Sequence, residues 1–96
     1  MYYIYILYSP SSGKTYTGFT NNVNRRLTEH NFTETKGFTL RYRPWKLIHT
    51  EEFPTKHAAT AREKILKSGK GREEIKSLLK SFLHTDGAVS AAAEKD

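Results

Sequence analysis

The segment YYIYILYSPSSGKTYTG, residues 2–18, predicts two β-strands joined by a tight turn. Its first part, residues 2–8, is rich in aromatic and β-branched side chains, which favour strands. Serine, proline and glycine then cluster at residues 9–13, a composition typical of turns, and a second strand is expected over residues 14–18. We therefore predict a β-hairpin in which both strands carry tyrosines.

The sequence after the hairpin adds one strand and three helices to the prediction. Capping side chains and apolar spacing predict helices over residues 22–31, 55–68 and 72–82, and a strand over residues 45–53. The expected inner faces are Ala58, Ala61, Ile65 and Leu66 in the second helix, and Ile75, Leu78, Leu79 and Phe82 in the third. The predicted fold class is α+β, a three-stranded antiparallel sheet flanked by helices in the order β-β-α-β-α-α.

Length and charge indicate one small basic domain. A chain of 96 residues suffices for a single modest core. The predicted elements lie within residues 1–82, and residues 83–96, which are mostly small and polar, are expected to form a disordered tail. The net charge is +6, and all but one of the 16 lysines and arginines fall within residues 1–82. Such a domain favours a polyanionic partner, although many small proteins are basic only for solubility.

Composition also excludes several classes of site and location. No cysteine is present, which excludes disulfide scaffolds, thiolate zinc sites and thiol nucleophiles. The apolar run at residues 2–8 is too short for a signal peptide or a membrane span. We therefore expect a chain that works in a reducing, cytoplasmic setting and has no membrane partner.

Five polar residues have a spacing that suggests chemistry. Tyr5 and Tyr16 are eleven residues apart, and the second opens the triplet Tyr-Thr-Gly. On the first predicted helix, Asn22, Arg26 and His30 are successive i,i+4 neighbours, so they share one ridge. Two phenols close to a cation and an imidazole suit work on a phosphate ester better than they suit packing.

Each of these residues also has an ordinary structural explanation. Tyr5 can cover a half-buried strand, and Arg26 and His30 can belong to a solvated helix face. Asn22 suits a helix cap better than a reacting group. Residues 32–43 show no regular period, and their hydroxyl, basic and aromatic groups suit either a nucleic-acid-facing loop or a solvated connector. Only the combined spacing indicates a site.

This combined spacing resembles the GIY-YIG nuclease superfamily. Tyr3-Ile4-Tyr5 and Tyr16-Thr17-Gly18 match its two half-motifs, and positions 22, 26 and 30 fall where the family places its helix residues. Glu63, within the segment AREKIL, matches the family's metal-binding glutamate. The resemblance covers residues 2–79 and is closest to small stand-alone bacterial members. The nuclease domain of excision-repair C subunits is a more distant relative.

The resemblance implies hydrolysis of DNA phosphodiester bonds with a single divalent ion, Mg²⁺ or Mn²⁺. The implied catalytic residues are Tyr5, Tyr16, Arg26, His30 and Glu63, with Glu63 as the metal ligand. One carboxylate can hold Mg²⁺ when water and phosphate oxygens complete the octahedron, and Arg26 offers a permanent cation to the phosphoryl group. Either Tyr16 or Tyr5 is the expected base, with the other positioning the water. His30 would shuttle protons or donate to phosphate.

The sequence departs from the family pattern at three places. Tyr3 replaces the glycine of the first half-motif, and Phe19 stands where the excision-repair type has a lysine. The asparagine that homing-type members carry after the glutamate has no counterpart here. These differences bear on catalytic rate and on the identity of the substrate more than on the fold.

The resemblance further implies DNA as the partner, contacted through a wide basic surface. The expected contacts are Asn22, Arg25, Lys36, Arg41, Arg43, Arg62, Lys67, Lys70 and Arg72. Phosphate contacts position a protein without reading sequence, so we expect recognition of DNA shape in repair or processing, or delivery by a partner protein. One alternative is a nucleic-acid-binding module that keeps the fold without cleaving. A third hypothesis is a protein-interaction domain that docks a partner on the helix face of residues 75–82.

Overall fold

The computed structural model describes residues 1–95, with side chains described as far as His84. Three strands, β1 (Tyr2–Tyr8), β2 (Thr15–Thr20) and β3 (Lys46–Phe53), form one antiparallel sheet. β1 lies in the middle, so the order across the sheet is β2-β1-β3 and β2 is an edge strand. The predicted sheet is confirmed, with β3 beginning one residue later than expected.

Four α-helices complete the described fold: α1 (Val23–Thr28), α2 (Phe38–Arg41), α3 (Lys56–Leu66) and α4 (Gly69–Lys95). One turn of π-helix, Glu29–Thr33, continues α1. The order β-β-α-β-α-α is confirmed, with the short α2 added inside the segment that showed no regular period.

The first face of the sheet is covered by α3 and α4. Neighbouring side chains of a strand point to opposite faces, so Ile4 and Ile6 of β1 share this one. They pack against Leu66 of α3 and Ile75 of α4, which are also buried. This cluster is the aliphatic half of the core and joins the C-terminal helices to the sheet.

The second face of the sheet is aromatic. Tyr5 and Leu7 of β1 form its buried cluster with Trp45, which precedes β3. The partly buried Val23 and Leu27 of α1 pack against the same cluster. Because Tyr5 faces this side, any site built on its hydroxyl lies opposite α3 and α4.

The inner face of α3 differs from the prediction. Ala59 and Leu66 are buried, whereas Ala61 is exposed and the side chain of Ile65 is 53% exposed. A helix advances about 100° per residue, so the phase that buries Leu66 turns Ile65 to solvent. The prediction for Ala61 and Ile65 was wrong. In α4 the predicted Ile75 is buried as expected, which fixes that helix on the sheet.

Helix α4 begins earlier than predicted, because Gly69 and Gly71 belong to its first turn. A Cβ atom on Gly71 would lie 2.2 Å from the carbonyl oxygen of Ile65 and 2.3 Å from the carbonyl carbon of Leu66. Glycine at this position therefore permits the backbones of α3 and α4 to meet at a tight corner.

The same helix extends to Lys95, beyond its predicted end at Phe82. The predicted disordered tail spans residues 83–96. Most of its side chains lie outside the described ones, and Asp96 lies outside the described residues altogether. That prediction is not tested. None of the helices within residues 1–95 combines the length and apolar character that crossing a membrane requires.

Candidate functional site

Tyr5 and Gly18 are packed directly against each other. They are partners across the β1–β2 ladder, and the side chain of Tyr5 is only 2% exposed. A Cβ atom on Gly18 would lie 2.6 Å from the phenol oxygen of Tyr5 and 2.8 Å from its Cζ. The glycine therefore leaves the space in which the tyrosine ring crosses to the neighbouring strand.

The hydroxyl of Tyr5 is the first member of a buried hydrogen-bond chain. Its oxygen lies 2.8 Å from Nε2 of His30, which is 1% exposed, and Nδ1 of His30 lies 3.1 Å from Oε1 of Glu34. The hydroxyl of Thr39 donates to the same carboxylate oxygen. This pattern assigns the Nδ1–H tautomer to a neutral His30, which accepts a hydrogen bond from the hydroxyl of Tyr5 at Nε2.

Burial and neighbouring charges fix where the protons of this chain reside. Burial raises the pKa of Tyr5, against the opposing effect of Arg26. Burial and then Arg26 lower the pKa of His30, although Glu34 acts in the opposite direction. The hydrogen bond from Thr39 lowers the pKa of Glu34, assisted by His30 and Arg26. At neutral pH the phenol is therefore protonated, the imidazole neutral and the carboxylate charged.

The lowered pKa of His30 predicts a specific loss of stability in mild acid. The unfolded imidazole, with a pKa near 6.5, binds a proton that the folded one resists, so stability falls as pH drops below about 6.5. The slope contributed by one such group is at most about 1.4 kcal/mol per pH unit. Denaturant unfolding at pH 7.5 and 5.5 measures this loss, which we expect to be smaller in His30→Gln.

The matched control for this measurement is His57→Gln, since His57 is exposed at the start of α3. This variant should keep the pH dependence of the unchanged protein. Equal pH dependence of the His30 and His57 variants would show that His30 does not resist protonation in the folded state.

Arg26 lies beside the hydrogen-bond chain of Tyr5, His30 and Glu34, and its contact with Glu34 links it to that chain. Its Nη1 donates to Oε1 of Glu29 at 2.8 Å and to Oε2 of Glu34 at 3.1 Å, and its side chain is 30% exposed. Glu34 thus connects the cation of α1 with the imidazole of the π-helical turn. The arrangement holds a half-exposed guanidinium in one orientation.

Tyr16 connects the buried chain with the surface. Its ring lies 4.9 Å from the ring of His30 and 6.1 Å from that of Tyr5, measured between centroids. It also lines a groove of about 450 Å³, here called the edge groove, that follows the outer side of β2. Lining residues include Tyr16, Thr17, Phe38, Leu66, Lys67 and Arg72. Of Tyr5 and Tyr16, it is therefore Tyr16 that is accessible to solvent.

Glu63 approaches the same strand from the opposite face. It lies between the buried Ala59 and Leu66 on the stripe of α3 that faces the sheet, and its side chain is 20% exposed. Its Oε2 lies 3.1 Å from Nζ of Lys67, a residue of the edge groove. A second depression at the other end of β2 includes both Arg26 and Lys56, the first residue of α3. Glu63 and Lys67 thus lie near one end of β2, and Arg26 and Lys56 lie near the other.

The structure therefore brings together four of the five predicted catalytic residues on one face of the sheet. Tyr5, Tyr16, Arg26 and His30 share the aromatic side, whereas Glu63 belongs to the aliphatic side, where it pairs with Lys67 of the edge groove. Arg26 and His30 were predicted to share one polar ridge on a helix. Instead, His30 lies in the π-helical turn and is buried, whereas Arg26 is partly exposed.

A divalent ion at this edge would have one carboxylate ligand from the protein. Among the side chains that the structure describes, as far as His84, no three acidic, histidine or cysteine groups cluster as a metal site. A single half-buried carboxylate next to an open groove nevertheless fits Mg²⁺, which retains several waters and binds substrate phosphate oxygens. Glu63 is the residue that fits this ligand.

Several of the predicted DNA-contacting residues have structural partners. Oδ1 of Asn22 accepts a hydrogen bond from the backbone N–H of Arg25 at 3.0 Å, which caps α1 as expected. Arg43 donates to the carbonyl oxygens of His30 and Glu34 and so supports the π-helical turn.

The other predicted DNA contacts differ in how they are held. Arg62 forms a bidentate pair with Glu51 and a further bond with Glu74 on the aliphatic side. Arg25 pairs with Asn21 and Glu29 at the surface. The remaining basic residues are exposed, namely Lys36, Arg41, Lys67, Lys70 and Arg72. Their role in DNA binding stays a prediction, as does that of Arg62.

Sequence reasoning missed Glu34, the residue that joins Arg26, His30 and Thr39. A signal was present, because Glu34 is the next i,i+4 step after Asn22, Arg26 and His30. Glu34 lies beyond the expected helix end at residue 31, so the i,i+4 series was not expected to continue to it.

Comparison with known proteins gives consistent matches. Residues 1–76 match the model of the GIY-YIG catalytic domain. The chain is 41% identical over 80 residues to a UPF0213 protein of Limosilactobacillus reuteri, covering 81% of this chain and 82% of that protein. It is 43% identical over 67 residues to one from Natronomonas pharaonis, covering 70% and 78%. The solution NMR structure of a UPF0213 protein from Bacillus halodurans is 33% identical, covers 81% of this chain and 85% of that one, and has a TM-score of 0.48.

Proposed function

The chain belongs to the GIY-YIG family, and from this premise we propose that it is a metal-dependent endonuclease that hydrolyses DNA phosphodiester bonds at the edge of β2. The observation that carries the proposal is the meeting of two kinds of group at this edge. Tyr16 lines the edge groove from the aromatic face, and Glu63 of α3 pairs with Lys67, which lines the same groove. A scissile phosphate in the groove would have a phenol on one side and a carboxylate on the other.

Glu63 is the proposed ligand of a single Mg²⁺ or Mn²⁺. When bound, the ion supplies Lewis-acid stabilisation of the charge that develops on phosphate oxygens and on the leaving group. Lys67 pairs with this carboxylate in the described structure, so binding of the ion would compete with that ion pair. The proposal therefore predicts weak metal affinity before a substrate phosphate adds its own oxygens.

The two tyrosines have different proposed roles. Tyr16 lines the open groove and is the phenol proposed to orient or deprotonate the attacking water. Tyr5 is buried, keeps its proton because burial raises its pKa, and donates to His30. Its role is to position Tyr16 and His30 through packing. The half-exposed guanidinium of Arg26 is held by Glu29 and Glu34 for contact with a phosphoryl oxygen.

The substrate proposed is DNA recognised by its shape, in repair or processing within the cytoplasm. Exposed cations along the edge groove, Lys67 and Arg72, provide contacts to the phosphate backbone that carry no sequence information. A partner protein that delivers the chain to such DNA is compatible with this proposal.

A second function remains open on one observation. Glu63 pairs with Lys67, and Arg26 pairs with Glu29 and Glu34, so both charged residues have protein partners without any substrate. A nucleic-acid-binding module that does not cleave would have the same arrangement. The two functions differ in whether DNA is nicked.

The test is a nicking assay on branched and single-stranded-tailed DNA, with Mg²⁺, with Mn²⁺ and with a chelator. We expect nicking only with metal, and a loss of about 100-fold or more in Arg26→Ala and in Glu63→Gln. The control is Glu52→Gln, since Glu52 is an exposed carboxylate on β3, and it should cleave normally. DNA binding without nicking on every substrate would favour the module and contradict the endonuclease.

A further inference from the structure

Phe38, the first residue of α2, is an exposed ring resting on other rings. It is 47% exposed although three aromatic side chains contact it. Its ring centroid lies 6.3 Å from that of Tyr16 with the planes 28° apart, and 5.9 Å from that of Trp45. The ring of Tyr42 meets it edge-on at 4.9 Å. Such support holds one side of Phe38 in place while the other faces the solvent.

The rings beneath Phe38 are themselves fixed. Trp45 is 3% exposed, and its Nε1 donates to the carbonyl oxygen of Thr39 at 2.7 Å. The side chain of Asn31 bonds both backbone groups of Trp45, accepting from its N–H at 2.7 Å and donating to its carbonyl at 3.1 Å. Because the rings that support Phe38 are rigid, a flat molecule can stack on Phe38 at a low cost in side-chain entropy.

The wall of the edge groove opposite Phe38 is basic. Lys67 and Arg72 line it, and both are exposed. A positively charged wall beside an aromatic platform is the combination by which proteins bind single-stranded nucleic acid, with cations on the backbone and rings on the bases. The groove thus has one surface for each part of an unpaired nucleotide: the aromatic ring for the base and the cations for the phosphate.

From these contacts we propose that Phe38 is a stacking platform for an unpaired nucleobase whose flanking phosphate lies against Lys67 and Arg72. This inference rests on the proposed function and names its substrate class, single-stranded or locally unpaired DNA. The ring needs an exposed base face, which a duplex offers only after its bases are unstacked. The platform therefore selects tails, flaps and loops over continuous duplex.

The test measures binding without cleavage. Fluorescence anisotropy of a labelled single strand and of a duplex of equal length is recorded in a chelator at one fixed salt concentration. We expect the single strand to bind more tightly, and Phe38→Ala to weaken its binding by about 5- to 100-fold while changing duplex binding less than twofold. Phe38→Trp, which retains a flat ring, should bind within threefold of the unchanged protein.

Two checks separate stacking from a general effect. Phe32→Ala removes a ring that is 76% exposed and does not line the edge groove, so it should bind both DNAs normally. A single strand carrying 2-aminopurine should lose fluorescence on binding the unchanged protein, and should lose less on binding Phe38→Ala. Equal weakening of both DNAs in Phe38→Ala, or no weakening, would overturn the platform.

The result is independent of catalysis. Selective stacking in a chelator supports the inference even if no substrate is nicked, in which case the endonuclease fails and the platform stands. Nicking that is equally fast on duplex and tailed DNA, together with unaltered binding by Phe38→Ala, would keep the endonuclease and remove the platform.

Discussion

Gly18→Ala is expected to lower the free energy of unfolding by about 2–5 kcal/mol. The new methyl group would lie 2.6 Å from the phenol oxygen of Tyr5, which is buried and has no open side to move into. Overpacking of this kind costs about 1–3 kcal/mol, and displacement of the phenol would leave Nε2 of His30 without its partner at a similar cost. Denaturant unfolding measures the difference directly.

A matched glycine supplies the control for this experiment. Gly69 is exposed at the start of α4, and a Cβ atom there would meet nothing within 4 Å, so Gly69→Ala should change stability by less than about 1 kcal/mol. In a Tyr5→Phe background, part of the cost of Gly18→Ala should disappear, since the closest contact is with the hydroxyl. If Gly18→Ala and Gly69→Ala are equally stable, the Tyr5 ring does not lie across Gly18.

Tyr16→Phe is expected to reduce nicking by about 10²- to 10⁴-fold while leaving stability within about 1 kcal/mol. The variant keeps the ring that packs against His30 and lines the edge groove, and it removes only the hydroxyl. Single-turnover nicking of tailed DNA with Mg²⁺ measures the rate, and denaturant unfolding measures the stability.

The comparison that gives this prediction its specificity is with two other tyrosines. Tyr8→Phe, at the end of β1 and away from the groove lining, should nick DNA at the unchanged rate. Tyr5→Phe should lose stability because His30 loses a buried partner, and its rate loss should be smaller than that of Tyr16→Phe. A larger rate loss in Tyr5→Phe than in Tyr16→Phe would reverse the roles proposed for the two phenols.

The sheet was predictable because its signals are local. Alternation within residues 2–8 and the turn at residues 9–13 predict the hairpin, and β1 and β2 do pair antiparallel. Helix caps were equally local, since Asn22 and Thr55 accept hydrogen bonds from the N–H groups of Arg25 and Ala58. Patterns that span only a few residues specify these elements without knowledge of the fold.

The parts that sequence did not predict depend on contacts between distant residues. The burial of His30 requires the π-helical turn, which Arg43 stabilises from thirteen residues away through the carbonyl oxygen of His30. Residues 32–43 had two open interpretations because no periodic pattern shows that Trp45 will anchor them through Thr39. The resemblance supplied the site residues, and only the structure separates the buried Tyr5 from the partly exposed Tyr16.

The position of Glu63 was likewise a matter of helical phase. The expected inner face of α3 included Ala61, Ile65 and Leu66. Of these only Leu66 is buried, and it is joined by Ala59, with Glu63 between them on the helix surface. Small alanines at several positions made both phases acceptable from sequence. Packing of Leu66 against Ile4 and Ile6 selects one phase, and this phase places Glu63 on the side of α3 that faces the sheet.

The central claim is that a metal ion held by Glu63 lies at the edge of β2, within reach of Tyr16. Paramagnetic broadening of backbone amide signals by Mn²⁺ tests this placement most directly, because the effect falls steeply with distance from the ion. We predict selective broadening of residues 15–18 and of the residues around Glu63 in the unchanged protein, and its disappearance in Glu63→Gln. Broadening centred on another part of the chain, or unaltered in Glu63→Gln, would contradict the claim.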